Sequence, residues 1–417
     1  MKFFEVLFLC SYIFFSQNLK AQWSNSDFTL TGREILCFAK KGSSMLAGTN
    51  GGLVVSTNNG QSWTNTGGGL PYQNVRALLN VESYPFDILA GMVSGRISMS
   101  TNYGENWTGF PIDSVQLPFL ADINCILEKS NSSNFLIGTE RGAYLLPQYY
   151  PLSSWISINT GLPSGETKVR AIVENNGEVF VGTNSGVFRL NGFSWVEKNS
   201  GLTNTNVTTL TSFNGNLFAG TAQGSVGGVY VSTDNGDSWI LSLNDGWVTS
   251  FFNIGSSIFA GSFGNGVWRS TNYGTSWSQI NDGFGGGAYY VMSLGADNQY
   301  LFAGTSASSI WRRPLSQVVT DINDEIIAHP SEFSLGQNYP NPFNPITKIK
   351  WQSPESGHQT LKIYDVLGNE VATLVDEIKP AGSYEIDFNA SQFSSGLYIY
   401  TLQAAKFTST KKMILIK

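Results

Sequence analysis

An eight-residue phrase recurs four times along the chain. Residues 56–63 read STNNGQSW, 100–107 STNYGENW, 232–239 STDNGDSW and 270–277 STNYGTSW. The residue choice is that of a tight turn between two strands. Asn58, Asn102, Asp234 and Asn272 at the third position can bond the backbone ahead of them and tolerate unusual dihedrals. Gly60, Gly104, Gly236 and Gly274 at the fifth supply a positive φ without a steric cost. Trp63, Trp107, Trp239 and Trp277 at the eighth bury a large ring where the chain leaves the turn, and each indole N–H then needs a partner.

A second landmark has the same period. An apolar strand ends in Gly plus a small residue at Gly48, Gly91, Gly138, Gly182, Gly220, Gly261 and Gly304, at steps of 38 to 47 residues. A period in this range with strand-type content points to repeated four-stranded units arranged as a propeller. Tryptophan makes a parallel column at 23, 63, 107, 155, 195, 239 and 277, offset by one unit from the glycines. Trp23 precedes the first glycine, and the last unit has no column tryptophan after its third strand at Ile310-Trp311-Arg312. The offset predicts that the N-terminal strand supplies the missing outer strand of the seventh unit, since an open ring would leave two unpaired edges. The expectation is an all-β chain: a seven-bladed β-propeller closed by an N-terminal outer strand, over 22–315. The innermost strands carry a small-residue column of Cys37, Ala77, Cys125, Ala171, Thr209, Ser250 and Ser293. Cys37 and Cys125 lie in the first and third units, too far apart for a bridge, and read as free buried thiols.

The repeated phrase resembles the Asp-box (BNR) repeat of β-propeller proteins. In that family the box is a structural turn away from the binding face, so the resemblance implies a fold and no activity. Asp-box propellers include sialidases and related hydrolases. Sialidases carry an Arg-Ile-Pro motif, and the nearest sequence here is Arg96-Ile97-Ser98.

Residues 1–21 resemble a secretory signal peptide: Met1-Lys2, an apolar run to Phe15, and small Ala21 before the expected cut. No other stretch is apolar enough to span a bilayer. A net charge of −6 with two histidines disfavours nucleic acid or an anionic membrane as partner.

After Leu315 the texture changes. Residues 316–332 read as a polar linker, and 333–417 as a small Ig-like antiparallel β-sandwich. Pro340, Pro342 and Pro345 exclude a helix at its start. This tail resembles the C-terminal sorting domain of type IX secretion cargo (Por secretion, type A). The resemblance rests on 337–345 (QNYPNPFNP), Ile363-Tyr364-Asp365 with Leu367-Gly368, Ser395-Gly396-Leu397-Tyr398 and the closing 412–417 (KMILIK). It implies export to the periplasm by the signal peptide, recognition of the tail by the type IX machinery, and a secreted or cell-surface destination.

Catalytic chemistry is sparse. Both histidines, His329 and His358, fall outside the repeats, so a Ser-His-Asp arrangement cannot form within them. No cofactor motif and no metal-ligand cluster is expected. A glycoside hydrolase needs carboxylates across the scissile bond, and the loop acids to test are Asp113, Asp245 and Asp282, with Glu140 beside them. Each reads as solvated or capping a turn. Arg76 and Arg170 share the innermost-strand column and can reach the centre of the ring. The loops of the expected ligand face hold Tyr72, Phe119, Arg141, Trp247, Phe263, Tyr289 and Tyr290. Exposed rings of this kind suit a sugar or a protein surface. The reading is a non-catalytic binding or scaffold module for an extracellular glycan or protein, with a secreted Asp-box glycoside hydrolase as the alternative.

Overall fold

The computed structural model describes residues 22–318 and 333–417, apart from 27–29, 31, 67, 71–73, 82–86, 110–120, 131, 133, 148–154, 165–166, 223–226, 307–308, 354–356, 380–381 and 405–406. The expected signal peptide and most of the expected linker lie outside the described residues, as do Tyr72, Asp113 and Phe119.

The described residues up to Pro314 form seven four-stranded antiparallel sheets. Their innermost strands are Ile35–Lys41, Val75–Asn80, Ile123–Glu128, Val169–Asn175, Val207–Phe213, Val248–Ile254 and Val291–Ala296; the sheets are numbered one to seven in that order. Each innermost strand packs against that of the next sheet, and the seventh packs against the first.

The glycine column shows why the sheets can come so close. A Cβ on Gly48 would lie 2.5 Å from Cys37 Sγ and 2.8 Å from Val75 of the next sheet; one on Gly304 would lie 2.5 Å from Ile35 of the first. Glycine is needed here for close approach, not for its dihedral freedom. Each column glycine pairs with the small residue of the innermost strand, as in Cys37↔Gly48, Thr209↔Gly220 and Ser293↔Gly304. Cys37 and Cys125 are free, and burial pushes their thiols up to about 12.

One irregularity repeats in all seven sheets. The pairing skips a residue just before the small one, at Leu36, Arg76, Asn124, Arg170, Thr208, Thr249 and Met292. Such a bulge re-aims the extra side chain. Several of these side chains tie one sheet to the next. Asn124 Nδ2 donates to Val169 O (3.1 Å), Thr249 Oγ1 to Val291 O (2.8 Å), and Thr208 Oγ1 to Val248 O. Ser293 Oγ donates to Ile35 O (2.7 Å), fastening the seventh sheet to the first.

The repeated phrase forms the turn between the third and fourth strands. In all four copies the first Ser Oγ donates to the Asn or Asp Oδ1 (2.7–3.1 Å) and accepts from the Gly N–H (2.8–2.9 Å). The glycine has positive φ, and so does the residue before it: Asn59, Tyr103, Asn235 and Tyr273 lie at 54° to 59°. A Cβ on Gly274 would lie 2.5 Å from Phe218 of the neighbouring sheet, so the turn is also a packing surface.

The tryptophan column links each outer strand to the sheet before it. The backbone N–H groups of Trp107, Trp195 and Trp239 donate to Gly68, Thr160 and Ser200 carbonyls (2.8–3.0 Å), and the backbone N–H of Trp23 donates to Asp282 O (2.7 Å) in the same way. Gly69, Gly161, Gly201 and Gly283 all sit where a Cβ would lie within 2.1–2.4 Å of the carbonyl oxygen of Trp107, Trp195, Trp239 and Trp23 respectively. Trp23 therefore stands to the sixth sheet as Trp239 stands to the fourth. The strand after it, Ser24–Asn25, pairs with the third strand of sheet seven, Ser24 opposite Arg312 and Asn25 opposite Trp311. Order continues past Leu315 through one 3-10 turn, where Leu315 and Val318 enter the core around Trp23.

The tail has two sheets, one of three strands and one of four, over a shared core of Ile349, Trp351, Phe388, Leu361, Tyr400 and Met413. The outer edge of the last strand, Phe407–Leu415, is covered by 337–343. Asn341 Oδ1 accepts from Ile414 N–H (2.9 Å), Gln337 Nε2 donates to Lys412 O (2.7 Å), and Phe343 N–H donates to Ile414 O (2.9 Å). An open edge would invite a foreign strand.

Candidate functional site

The register places the repeated turns at one end of the four sheets that carry them. At the other end lie the loops entering each innermost strand and those after each Gly-Thr strand. The loops of sheets five to seven are bonded together there. Phe263 N–H donates to Trp247 O (2.9 Å), Gly264 N–H to Tyr289 O (2.9 Å), and Ser306 N–H to Tyr290 O (3.0 Å). Trp247 and Phe263 have ring centroids 4.8 Å apart, and Phe263 and Tyr290 4.9 Å, tilted by 41° and 61°. Phe263 is half-buried, whereas Trp247 keeps 46%, Tyr290 45% and Tyr289 37% exposure. Tyr289 packs on Phe284, which stacks on Trp23. The candidate rings Trp247, Phe263 and Tyr289 thus share one patch, and Arg141 lies apart, in the turn between strands two and three of sheet three.

Trp247 follows a close backbone approach. Gly246 N–H donates to Gly227 O (2.9 Å), and a Cβ on Gly227 would lie 1.4 Å from Gly246 O. Beneath it lies Asp245. The sequence reads this acid as solvated or capping a turn, but it is buried at 6% exposure. Asn265 Nδ2 donates to its Oδ1 (2.6 Å). Ser262 and Trp268 also turn polar atoms toward the carboxyl, at geometry too poor for full hydrogen bonds, and Oδ2 has no close partner. Burial is the largest influence and raises the carboxyl above its usual range, against those polar neighbours. Nothing in the residues near 245 signalled this, because the covering chain belongs to other loops. Asp282 is exposed, and its backbone carbonyl is taken by Trp23.

A second group lies at the same end, on sheets two to four. Arg76 reaches Asp122 (2.5 Å) and Glu140 (3.9 Å), and Lys168 reaches Glu140 (2.8 Å). Burial alone would raise Glu140, but the bond and charge of Lys168, with Asn124 and Arg76, hold it below its usual range. Among the described residues no three metal-ligating side chains converge.

The comparisons agree with this division. Residues 337–417 match the family of secretion system C-terminal sorting domains, which marks the chain for type IX secretion. No curated protein sequence matches significantly. Three solved structures resemble the remainder. Virginiamycin B lyase from Staphylococcus aureus is 12% identical, covering 71% of this chain and 99% of its own, with a TM-score of 0.54. The WD40 β-propeller domain of Doa1 is 10% identical, covering 70% and 96%, with a TM-score of 0.53. YCF48 with a bound D1 peptide is 14% identical, covering 70% and 96%, with a TM-score of 0.52. At these identities the likeness concerns fold alone: this is a propeller-like all-β protein with a secretion tail. Among the described residues, no helix is long and apolar enough to cross a membrane.

Proposed function

We propose that the chain is a secreted seven-bladed Asp-box propeller, with an Ig-like sorting module at its C-terminus, that acts as a non-catalytic binding module. Its ligand-binding face is the patch of Trp247, Phe263, Tyr289 and Tyr290. One observation carries the reading: Trp247 and Tyr290 both pack on Phe263 at the loop end, with Tyr289 beside Tyr290 in the chain, and Trp247, Tyr289 and Tyr290 stay more than a third exposed. A protein ligand is favoured over a glycan. The rings tilt against one another, which leaves edges and crevices for a side chain rather than a flat run of ring faces for sugars. Trp, Tyr and Arg are also the residues that anchor protein interfaces. YCF48, a structure of similar fold, is solved with a bound D1 peptide.

The hydrolase alternative rests on Asp245, whose raised carboxyl is what a general acid requires. The test separates the two. The exported protein is incubated with an immobilised peptide array and a polysaccharide panel, and both retention and new reducing ends are scored. The expected outcome is retention on peptides, lost in Trp247→Ala and Tyr290→Ala, with no new reducing ends. New ends that vanish in Asp113→Asn, Asp245→Asn or Asp282→Asn would replace this reading with the hydrolase. Deleting 333–417 should hold the protein in the periplasm; release into the medium would refute the sorting role.

A further inference from the structure

We propose that the loop end of sheets three and four holds an anion site, centred on Arg170 and Lys168, that takes a carboxylate from an acidic segment of the protein partner. The proposal rests on the binding-module reading and adds the chemistry of what is bound.

Arg170 occupies a bulge position whose structural duty is light. Thr208 and Thr249 discharge it in the next two sheets with a hydroxyl bonded to the neighbouring strand's carbonyl. Arg170 makes the same tie through Nη1, to Val207 O (3.3 Å) and Asn206 Oδ1 (2.5 Å). Its Nη2 and Nε have no protein acceptor among the described residues. A guanidinium is more than the scaffold needs there.

The surrounding charges are unequal. Arg76, Lys168 and Arg170 gather around Glu140 and Asp122. Asp122 is committed to Arg76 and to Ser94 N–H (2.9 Å), and Glu140 to Lys168. Arg170 feels Glu140 through space but forms no ion pair with it. Three cations thus face two occupied carboxylates, on a chain whose net charge is −6. Half-burial already disfavours the charge on Arg170, and an incoming carboxylate would offset that cost through charge-assisted, two-pronged bonding.

The site is continuous with the aromatic patch. Asn206, which holds Arg170, donates through Nδ2 to Ala222 O, and Ala222 bridges to Trp247. One ligand can therefore seat an apolar side chain at Trp247 and an acidic one at Arg170.

The test uses the full exported chain and poly-L-glutamate as probe, with polygalacturonate and poly-L-glutamine beside it. Poly-L-glutamate should bind at low salt and weaken as salt rises; poly-L-glutamine should not bind. Arg170→Gln keeps an amide donor for the Val207 tie and should weaken binding about tenfold or more, with Arg170→Lys losing less. An unchanged melting temperature in Arg170→Gln keeps the comparison valid, and if that variant melts early the second variant is Lys168→Gln, which gives up the Glu140 pair but leaves the Arg170 bond to Val207 O in place. Equal poly-L-glutamate binding by wild type and both Gln variants would overturn the site. Stronger retention of polygalacturonate than of poly-L-glutamate would overturn the acidic-protein assignment in favour of an acidic glycan. If Trp247→Ala abolishes peptide retention while Arg170→Gln leaves poly-L-glutamate binding intact, the anion site fails and the binding-module reading stands.

Discussion

Asp234 and Asp245 flank the same outer strand, Ile240–Asn244, and live in opposite environments. Asp234, in the repeated turn, accepts bonds from Ser238 and Ser232, and these hold its carboxyl down at about 2. Asp245, under the loop patch, is raised by burial. One end of the sheet satisfies its acid locally; the other buries its acid under chain brought from elsewhere. The turn end is built alike four times over and serves packing. The loop end differs from sheet to sheet, and there Trp247, Phe263 and Tyr290 pack into one patch. Loops set on a rigid frame are where binding concentrates.

The sharpest contrast is between tryptophans. Trp239→Ala, at the turn end, should cost about 3–5 kcal/mol in urea unfolding, and Trp23→Ala should cost as much if the N-terminal strand closes the ring. Trp247→Ala, at the loop end, should cost about 1 kcal/mol or less while abolishing ligand retention. Equal stability losses at the two ends would erase the distinction. Next in size, Gly274→Ala meets both an unfavourable φ of 81° and the Phe218 ring at 2.5 Å. It should destabilise by about 1–3 kcal/mol, read by the same unfolding curves.

The two acids give the smallest effects, with opposite signs. The folded-state value of Asp234 is depressed, so its contribution is fully present above the ordinary carboxylate range near pH 4 and is lost as pH falls toward 2. Asp234→Asn should flatten the acid limb of the stability curve over that window. Asp245 is raised, so its burial costs stability above its folded-state value, and that cost is relieved as pH falls through it. Asp245→Asn should therefore be at least as stable as wild type at neutral pH, with the gap closing on acidification. Melting temperatures across pH would check both, and parallel profiles would contradict the contrast.

What could be read from residues alone follows the same division. The glycine and tryptophan columns were visible because one packing problem, a sheet pressed against its neighbour, recurs with one solution. The role of Gly283 against Trp23 follows from the pattern at Gly201 and Trp239. The seven bulges were not legible, since Leu36, Arg76, Thr208 and Met292 share no side-chain property. The burial of Asp245 was hidden because Asn265 and Ser262 come from another sheet. The aromatic patch was legible as candidates but not as a unit, because its contacts join separate loops, Trp247 to Phe263 and Phe263 to Tyr290. The tail's edge cover by Gln337 and Asn341 was legible only as a motif, without its partner strand.

Matched exposed aromatics allow the most direct test. Trp247 and Tyr290 stand at the loop end with 46% and 45% exposure; Tyr103 and Tyr273 stand at the turn end with 56% and 44%. The measurement is retention of the full chain on the peptide array after each is replaced by alanine. Loss in Trp247→Ala and Tyr290→Ala, with full retention in Tyr103→Ala and Tyr273→Ala, is the predicted result. Loss confined to the turn-end pair would contradict the account.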